Sequence, residues 1–390
     1  EKYWFPTIFK KKKIKKIDIF KKFVDLNQFP GKQFWKKYYT TLNKLDEDNF
    51  KNNEKVKILG NELRKEIIKI HLNIDESKIS FTDHSLTHAS YAYYSGNLNS
   101  KKSLVLTLDA YGDKANNTIR VFLPSNKKKF TLISKSESSI IARLYRYTTL
   151  LLNLKPDNHE YKVMGLAAFS KDEYTETLFN KFKKIQTIQK NKFKFFKKPK
   201  DLYFFLKDIT KGERFDNIAG AVQRYTEFLT ENFVKDAVKL TGIRNLCFAG
   251  GVAMNVKSNL KISNLPSIKK LFVPFAPDDN SLSIGACYAK HSENLTNNNS
   301  KFICKKITSP YLGQISLINN RDDLIKKKFN SKNFKIYKNN LIIRAAKLLS
   351  KGGIVARCMG KSEFGSRALG NRSILAHPSY KNIKMKINEK

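Results

Sequence analysis

The run Asp83-His84-Ser85-Leu86-Thr87-His88-Ala89 places two of the chain's six histidines four residues apart. The segment after it, Ser90-Tyr91-Ala92-Tyr93-Tyr94, holds no Pro or Gly, and the spacing predicts a helix. On a helix, positions i and i+4 share a face with Cβ atoms roughly 5–6 Å apart. Two neutral imidazoles at that separation can grip one metal ion. Histidines on a helix surface or in a core can have the same spacing, so the pair alone leaves both readings open. Further ligands must come from elsewhere in the chain.

Four other stretches carry residues suited to chemistry. Ser103 to Leu108 reads as a short apolar strand ending on Asp109-Ala110-Tyr111-Gly112-Asp113. A carboxylate at the end of a buried strand is a usual place for a metal or phosphate ligand, although Asp and Gly also open ordinary turns. Asn245 to Ala249 reads as a buried strand, followed by Gly250-Gly251-Val252-Ala253-Met254-Asn255. A strand, a Gly-Gly turn and a helix can cradle an anion with free backbone N–H groups, or can simply make a tight turn. Lys270 to Pro274 is a further strand leading to Pro277-Asp278-Asp279, where an Asp either caps the next helix or binds metal. Near the end, two arginines, a glutamate and three glycines fall between Gly360 and Arg372. Arginine offers a planar fork for phosphate or carboxylate, and glycines allow close backbone approach.

The elements that must position these residues alternate strand and helix. Helices are expected from Val56 to Leu72, over 138–169, over the charged and Phe-rich 171–212, from Ala219 to Leu240, after Ser281, and from Leu341 to Leu349. Strands are expected at Ile119 to Leu123, Lys129 to Ser134 and Gly353 to Arg357. Asn297 to Lys301 reads as a linker, and residues 1–58 as a basic, aromatic, helix-containing opening segment with Lys10 to Lys13 in a row.

With 390 residues and 41% hydrophobic content, the chain is long and apolar enough for two or three domains with real cores. Lys and Arg outnumber Asp and Glu by 75 to 34, for a net charge of +41. The lysines are scattered along the whole chain, so a solvated surface or a composition bias explains them as well as a polyanionic partner does. The four cysteines, at 247, 287, 304 and 358, form no CxxC pair and read as reduced, mostly buried thiols of a cytoplasmic protein. No run approaches the ~20 apolar residues that span a bilayer.

Taken together, these motifs resemble the O-carbamoyltransferases of the nodulation and antibiotic-tailoring type. The residues that carry the resemblance are Asp83 to Ala89, Glu160-Tyr161-Lys162-Val163-Met164-Gly165-Leu166-Ala167, Gly250 to Asn255, Pro310-Tyr311-Leu312-Gly313 and Glu363 to Pro378. It implies an α/β protein, with a larger domain (1–300) of the duplicated actin/Hsp70-like ATPase fold, related to the tRNA threonylcarbamoyl-transfer subunit. A smaller α/β domain like threonylcarbamoyl-adenylate synthase would begin within 301–390. The implied reaction converts carbamoyl phosphate and ATP, with magnesium, to carbamoyl adenylate and pyrophosphate. The carbamoyl group then passes to a hydroxyl of a sugar or other natural product. By position, the resemblance assigns an iron or zinc ion to His84, His88, Asp109 and Asp279. It assigns the nucleotide or carbamoyl adenylate to Glu160, Lys162, Gly250, Gly251 and Asn255, and the phosphates of carbamoyl phosphate or ATP to Glu363, Arg367 and Arg372. His88 is also the candidate general base for the acceptor hydroxyl.

The resemblance is compatible with a homodimer and predicts no membrane span. It disfavours nucleic acid as a partner, although the charge keeps tRNA threonylcarbamoyl transfer as an alternative and a non-enzymatic nucleotide-binding scaffold is another. The chain departs from the family pattern at Ser366, which stands for a Pro. Further departures are Asn280-Ser281 after the metal aspartate, Ala110, Ala168-Phe169-Ser170 and Ile141. A His-Asp strand and a Glu-Glu-Arg-Phe-like segment that normally open the family do not precede Glu1, and further arginine and phenylalanine motifs do not follow Asn388. Both ends are therefore expected to be truncated.

Overall fold

The computed structural model describes residues 72–98, 101–124, 130–297, 306–314 and 339–389, with isolated positions at 61, 65, 68, 69, 335 and 337. The opening segment 1–58 and most of the expected linker lie outside the described residues. Of the helix expected from Val56 to Leu72, the described positions Asn61, Lys65, Ile68, Lys69 and Leu72 are helical. The chain divides into two compact units, Glu1–Phe81 and Thr82–Lys390. In the first, Asp75 caps a 3₁₀ turn, Glu76–Lys78, by accepting from the Ser77 N–H, and Lys65 pairs with Glu76 at 3.1 Å.

The second unit is built around a five-stranded mixed sheet. Its strands are β1 (Ser103–Leu108), β2 (Asn117–Phe122), β3 (Phe130–Ser136), β6 (Asn245–Ala249) and β7 (Lys270–Phe272), in the order β3-β2-β1-β6-β7. β1, β6 and β7 run parallel, while β2 and β3 form an antiparallel meander on the edge of β1. All six residues of β1 are buried because both sheet faces are covered, the usual condition for parallel strands. Leu104, Leu106 and Leu108 face one core with Leu246 and Phe248, against Tyr225, Leu229 and Phe233 of the long helix α6 (Phe215–Thr241). Val105, Cys247 and Ala249 face the other way, against Ala89, Ala92 and Tyr93 of helix α1 (His84–Tyr94).

The remaining helices among the described residues of this unit are α2 (Ile141–Leu151), α3 (Glu160–Leu166), α4 (Asp172–Lys183), α5 (Leu202–Ile209), α7 (Val256–Ser263), α8 (Leu282–Asn297), α9 (Leu341–Ser350) and α10 (Ile383–Asn388). The helix expected over 138–169 is two helices. Asn153 and Asp157 take left-handed backbone between them, at φ 55° and 64°, and Pro156 lies in the same break. The stretch 171–212 is not all helix either. It contains a hairpin of β4 (Gln186–Gln189) and β5 (Lys192–Phe195), turned by Lys190 and Asn191 at φ 47° and 63°. Two successive left-handed residues make the turn that suits strand twist, and the hairpin is fixed by Phe193 packing on Phe233 of α6.

Beyond residue 300, β8 (Ile354–Cys358) and β9 (Arg372–Ala376) pair antiparallel. The backbone N–H of Ile307 donates to Ser95 O at the end of α1. Cys247 is buried, but Cys287 and Cys358 are exposed, which corrects the expectation of mostly buried thiols; Cys304 lies outside the described residues. No helix among the described residues is long and apolar enough to cross a membrane.

Candidate metal centre

All three parallel strands send their C-terminal ends to one edge of the sheet, and the N-terminus of α1 meets them there. Ligand sites in open α/β sheets form at such an edge. Asp83 caps α1: its carboxylate accepts from the Leu86 N–H at 2.8 Å, which satisfies an otherwise orphaned helix donor. The first residue inside the helix is His84, whose N–H donates to Asp113 at 3.0 Å. One turn on, His88 presents its ring edge-on to His84, with centroids 4.8 Å apart.

Asp109 follows β1 directly. One of its oxygens accepts from the Ala110 N–H at 2.6 Å and the other from the Gly251 N–H at 3.2 Å. Gly250 precedes that donor at φ 95°, and a Cβ there would meet the Leu108 carbonyl oxygen at 2.2 Å. Only glycine fits this turn. Both glycine N–H groups are committed, since Gly250 N–H donates to Pro277 O at 2.9 Å. The turn thus holds Asp109 and the aspartate-bearing loop, and offers a ligand a Cβ-free surface rather than these two donors.

That loop runs from β7 to α8. Asp278 caps the 3₁₀ turn Asp279–Ser281, and both its oxygens accept from the Asn280 amide at 2.9 Å. Asp279 is left free to face the histidines. The Tyr91 hydroxyl of α1 anchors the loop by donating to Phe275 O at 2.6 Å. Helix α8 then packs on α1 so closely that a Cβ at Gly285 would meet Thr87 O at 2.2 Å.

His84, His88, Asp109 and Asp279 each contribute one ligand atom, and these atoms all lie within 4.8 Å of one another. His88 Nε2 lies 3.0 Å from Asp109 and 3.3 Å from Asp279, and His84 Nε2 lies 3.6 Å from each. Ligand bonds of about 2.0–2.2 Å to a tetrahedral, zinc-like ion imply donor separations of about 3.3–3.6 Å around it. Neither His84 Nε2 nor either nitrogen of His88 has an aligned hydrogen-bond partner, although all three atoms are buried. Buried polar atoms left so are costly, and an ion shared by the four side chains removes that cost for the two Nε2 atoms that face the carboxylates. Two imidazoles and two carboxylates are a donor set for zinc or ferrous iron. The residues therefore fit a divalent metal.

Electrostatics point the same way. Burial lowers the affinity of His88 for a proton, but the carboxylates of Asp109 and Asp279 outweigh it and raise its pKa to about 9. Burial would raise the pKa of Asp109, but His84 and His88 hold its carboxyl far below the usual range. Both shifts arise because the imidazoles and the carboxylates lie side by side. Its open side is Asp279, 69% exposed, while the His88 side chain is 1% exposed. The His88 ring thus lies inside the pocket, against Asp109 and Asp279, away from its open side.

The other expected site residues divide into two groups. Asn255 is turned inward, where it caps α7 through the Ser258 N–H and exchanges hydrogen bonds with Gln223, which accepts from the Tyr145 hydroxyl. Glu160 accepts from the Asp157 N–H at 2.7 Å and fastens the start of α3. Glu363 accepts from the N–H groups of Leu369, Asn371 and Arg372 through one oxygen. Arg372 donates to the carbonyls of Met359, Gly360 and Asn371. These four shape backbone. Lys162 and Arg367 pair with no carboxylate among the described residues. Lys162 Nζ lies 3.3 Å from His159 Nε2, and the Arg367 guanidinium stacks 3.8 Å over the Tyr161 ring, which brings the C-terminal motif onto α3. Asp113, Tyr91 and Gly285 went unassigned in the sequence, because each acts through a fold contact between distant segments.

Residues 8–288 match the family model described as carbamoyltransferase N-terminus, and residues 346–390 the one described as carbamoyltransferase C-terminus. The chain belongs to the carbamoyltransferase family. It is 30% identical over 354 residues to the uncharacterized protein MJ1058 of Methanocaldococcus jannaschii, covering 85% of this chain and 56% of that protein. It is 28% identical over 320 residues to the nodulation protein NolNO of Sinorhizobium fredii, covering 81% of this chain and 46% of that protein. It is also 27% identical over 311 residues to the nodulation protein NolO of Bradyrhizobium diazoefficiens, covering 78% and 55%. The chain spans about half the length of the curated relatives it matches. A solved structure of full-length HypF in the phosphate- and nucleotide-bound form aligns with 64% of this chain and 52% of that one, at 11% identity and a TM-score of 0.36, too distant to bear on the site.

Proposed function

We propose that this chain is the metal-bearing part of an O-carbamoyltransferase that activates carbamoyl phosphate with ATP. The activated group is then transferred to a hydroxyl of a sugar or other natural product. The observation that carries the reading is the convergence of His84, His88, Asp109 and Asp279 beside the Gly250-Gly251 turn, in a chain of this family. We keep with it the division at residues 300 and 301, the duplicated actin/Hsp70-like architecture of the larger domain and a cytoplasmic setting.

In this reading, carbamoyl phosphate, water and ATP give carbamoyl adenylate, phosphate and pyrophosphate. The acceptor oxygen then attacks the carbamoyl carbon, AMP leaves, and the hydroxyl proton passes to a base. A divalent iron or zinc held by the four side chains would supply Lewis-acid stabilisation of a carbamoyl or phosphate oxygen. The chain's own residues do the rest. Asp109, fixed by the Ala110 and Gly251 N–H groups, holds the charge of the site in place, and His84 and His88 orient it from one helix face. Arg367, with its fork exposed, binds phosphate, and Lys162 adds a second cation on the neighbouring helix. Glu363 and Arg372 keep the arginine loop in its binding shape. Such preorganised charge accounts for much of the rate gain in acyl transfer.

The test uses the full-length protein. Conversion of ATP to AMP and pyrophosphate should require carbamoyl phosphate, and Arg367→Ala should abolish that turnover. Turnover independent of carbamoyl phosphate, or unchanged in the variant, would remove the reading. The match of residues 346–390 to the carbamoyltransferase C-terminus favours it over tRNA threonylcarbamoyl transfer, and a non-enzymatic scaffold would show no turnover at all.

A further inference from the structure

The helix that carries both histidines is held by a cation that touches neither of them. Arg120 lies in β2, opposite Val105 of β1 and Leu132 of β3, and its side chain is only 7% exposed. One terminal nitrogen, Nη1, donates to Ser85 O at 3.3 Å and to Thr118 Oγ1 at 2.5 Å. The other, Nη2, donates to Ser85 Oγ at 2.9 Å and reaches Asp83 Oδ1 at 3.5 Å. The Ser85 hydroxyl in turn donates to Asp83 Oδ1 at 2.5 Å. Asp83 and Ser85 are the two neighbours of His84. The guanidinium therefore grips the helix start on both sides of the first histidine, from within the sheet.

A buried charge is expensive unless it is fully paired, and well-packed apolar side chains often replace a buried ion pair without loss of stability. Packing alone does not explain an arginine in this strand. What only the planar fork supplies is two directions of hydrogen bonding at once. Thr118 completes the frame, since its hydroxyl also contacts the Thr107 hydroxyl of β1 at 2.6 Å, and Asp109 lies two residues further on. Arg120 thus links the helix bearing two of the four clustered residues to the strand bearing the third.

We infer that Arg120 is a positioning residue for the metal centre: it sets the approach angle and rotation of α1, and through them the aim of His84 and His88 at Asp109 and Asp279. The inference rests on the metal reading of that cluster. Residues that orient metal ligands from outside the coordination sphere typically change affinity by about 10- to 100-fold when altered.

The experiment compares the parent chain with Arg120→Lys and Arg120→Met. Zinc affinity is measured by competition with a chromophoric chelator, the absorption spectrum is recorded with cobalt(II) in place of zinc, and far-UV circular dichroism reports the fold. Both variants are expected to keep the parent's circular dichroism, to bind zinc about 10- to 100-fold more weakly, and to shift or weaken the cobalt bands. If neither variant folds, Ser85→Ala decides the matter: it removes the hydroxyl bridge between Arg120 and Asp83 and should weaken zinc binding several-fold. Folded variants with parent-like zinc affinity and cobalt spectrum would overturn the inference and leave the metal reading standing. A parent chain that takes up neither zinc nor cobalt would overturn both.

Discussion

Asp278 and Asp279 are neighbours with the same chemistry, yet the fold sends them to different tasks. Asp278 is consumed by the 3₁₀ turn and the Asn280 amide, so Asp279 is the carboxylate left for the histidines. Asn280, a departure from the family pattern, becomes the clamp that enforces the choice. Glu363 shows the same division between shaping and binding. Partial desolvation would raise the pKa of its carboxyl, but the N–H groups of Arg372, Leu369 and Asn371 outweigh it and hold it at about 2. A folded value below the ordinary 4.5 means that the loop gains stability above about pH 4.5 and loses it as pH falls toward 2. Amide exchange at Leu369, Asn371 and Arg372, followed by NMR, should therefore show protection that declines across that window. Glu363→Gln should show reduced protection at neutral pH. Protection that ignores both pH and the substitution would contradict this role.

At the same scale, the sequence made the site's chemistry legible and left its supports hidden. His84, His88 and Asp109 could be read because the histidine spacing is helical and the aspartate ends a buried strand. Arg120 carried one signal, a lone cation in the strand Asn117-Thr118-Ile119-Arg120-Val121-Phe122, but its partners Asp83 and Ser85 lie more than thirty positions away. Asn255 and Glu160 stand in matching motifs, yet a motif does not say whether a side chain turns toward a ligand or inward. Tertiary hydrogen bonds decide that.

Elements were readable where their pattern was local. The strands β1, β6 and β7 and the long helix α6 follow from apolar runs and helical periodicity. The hairpin of β4 and β5 escaped because its Gln-Thr-Ile-Gln and Lys-Phe-Lys-Phe strands are charged or polar and are held by α6 rather than by their own propensity. The pairing of α1 with α8 depends on Gly285, where the backbone of α1 occupies the space of a side chain. Gly285→Ala should force the two helices apart. Overpacking of this kind costs about 1–3 kcal/mol, measurable by urea denaturation. The same variant should weaken metal binding, because α8 follows directly from Asp279. A variant with unchanged stability and metal affinity would show that the helices have more freedom than the 2.2 Å approach implies.

For the molecule as a whole, the metal centre ties together segments far apart in the chain. The histidine helix, the end of β1, the Gly-Gly turn after β6 and the loop after β7 meet at one edge of the sheet, and the C-terminal arginine motif touches α3 through Arg367 and Tyr161. The proposed reaction would use this arrangement, with residues drawn from both family regions. Direct metal analysis of the purified chain tests whether the four side chains form a metal site. One zinc or iron per chain is expected after reconstitution, with His88→Ala and Asp109→Asn losing it while their far-UV circular dichroism stays that of the parent. A parent chain that holds no metal, or folded variants that hold as much as the parent, would contradict the account.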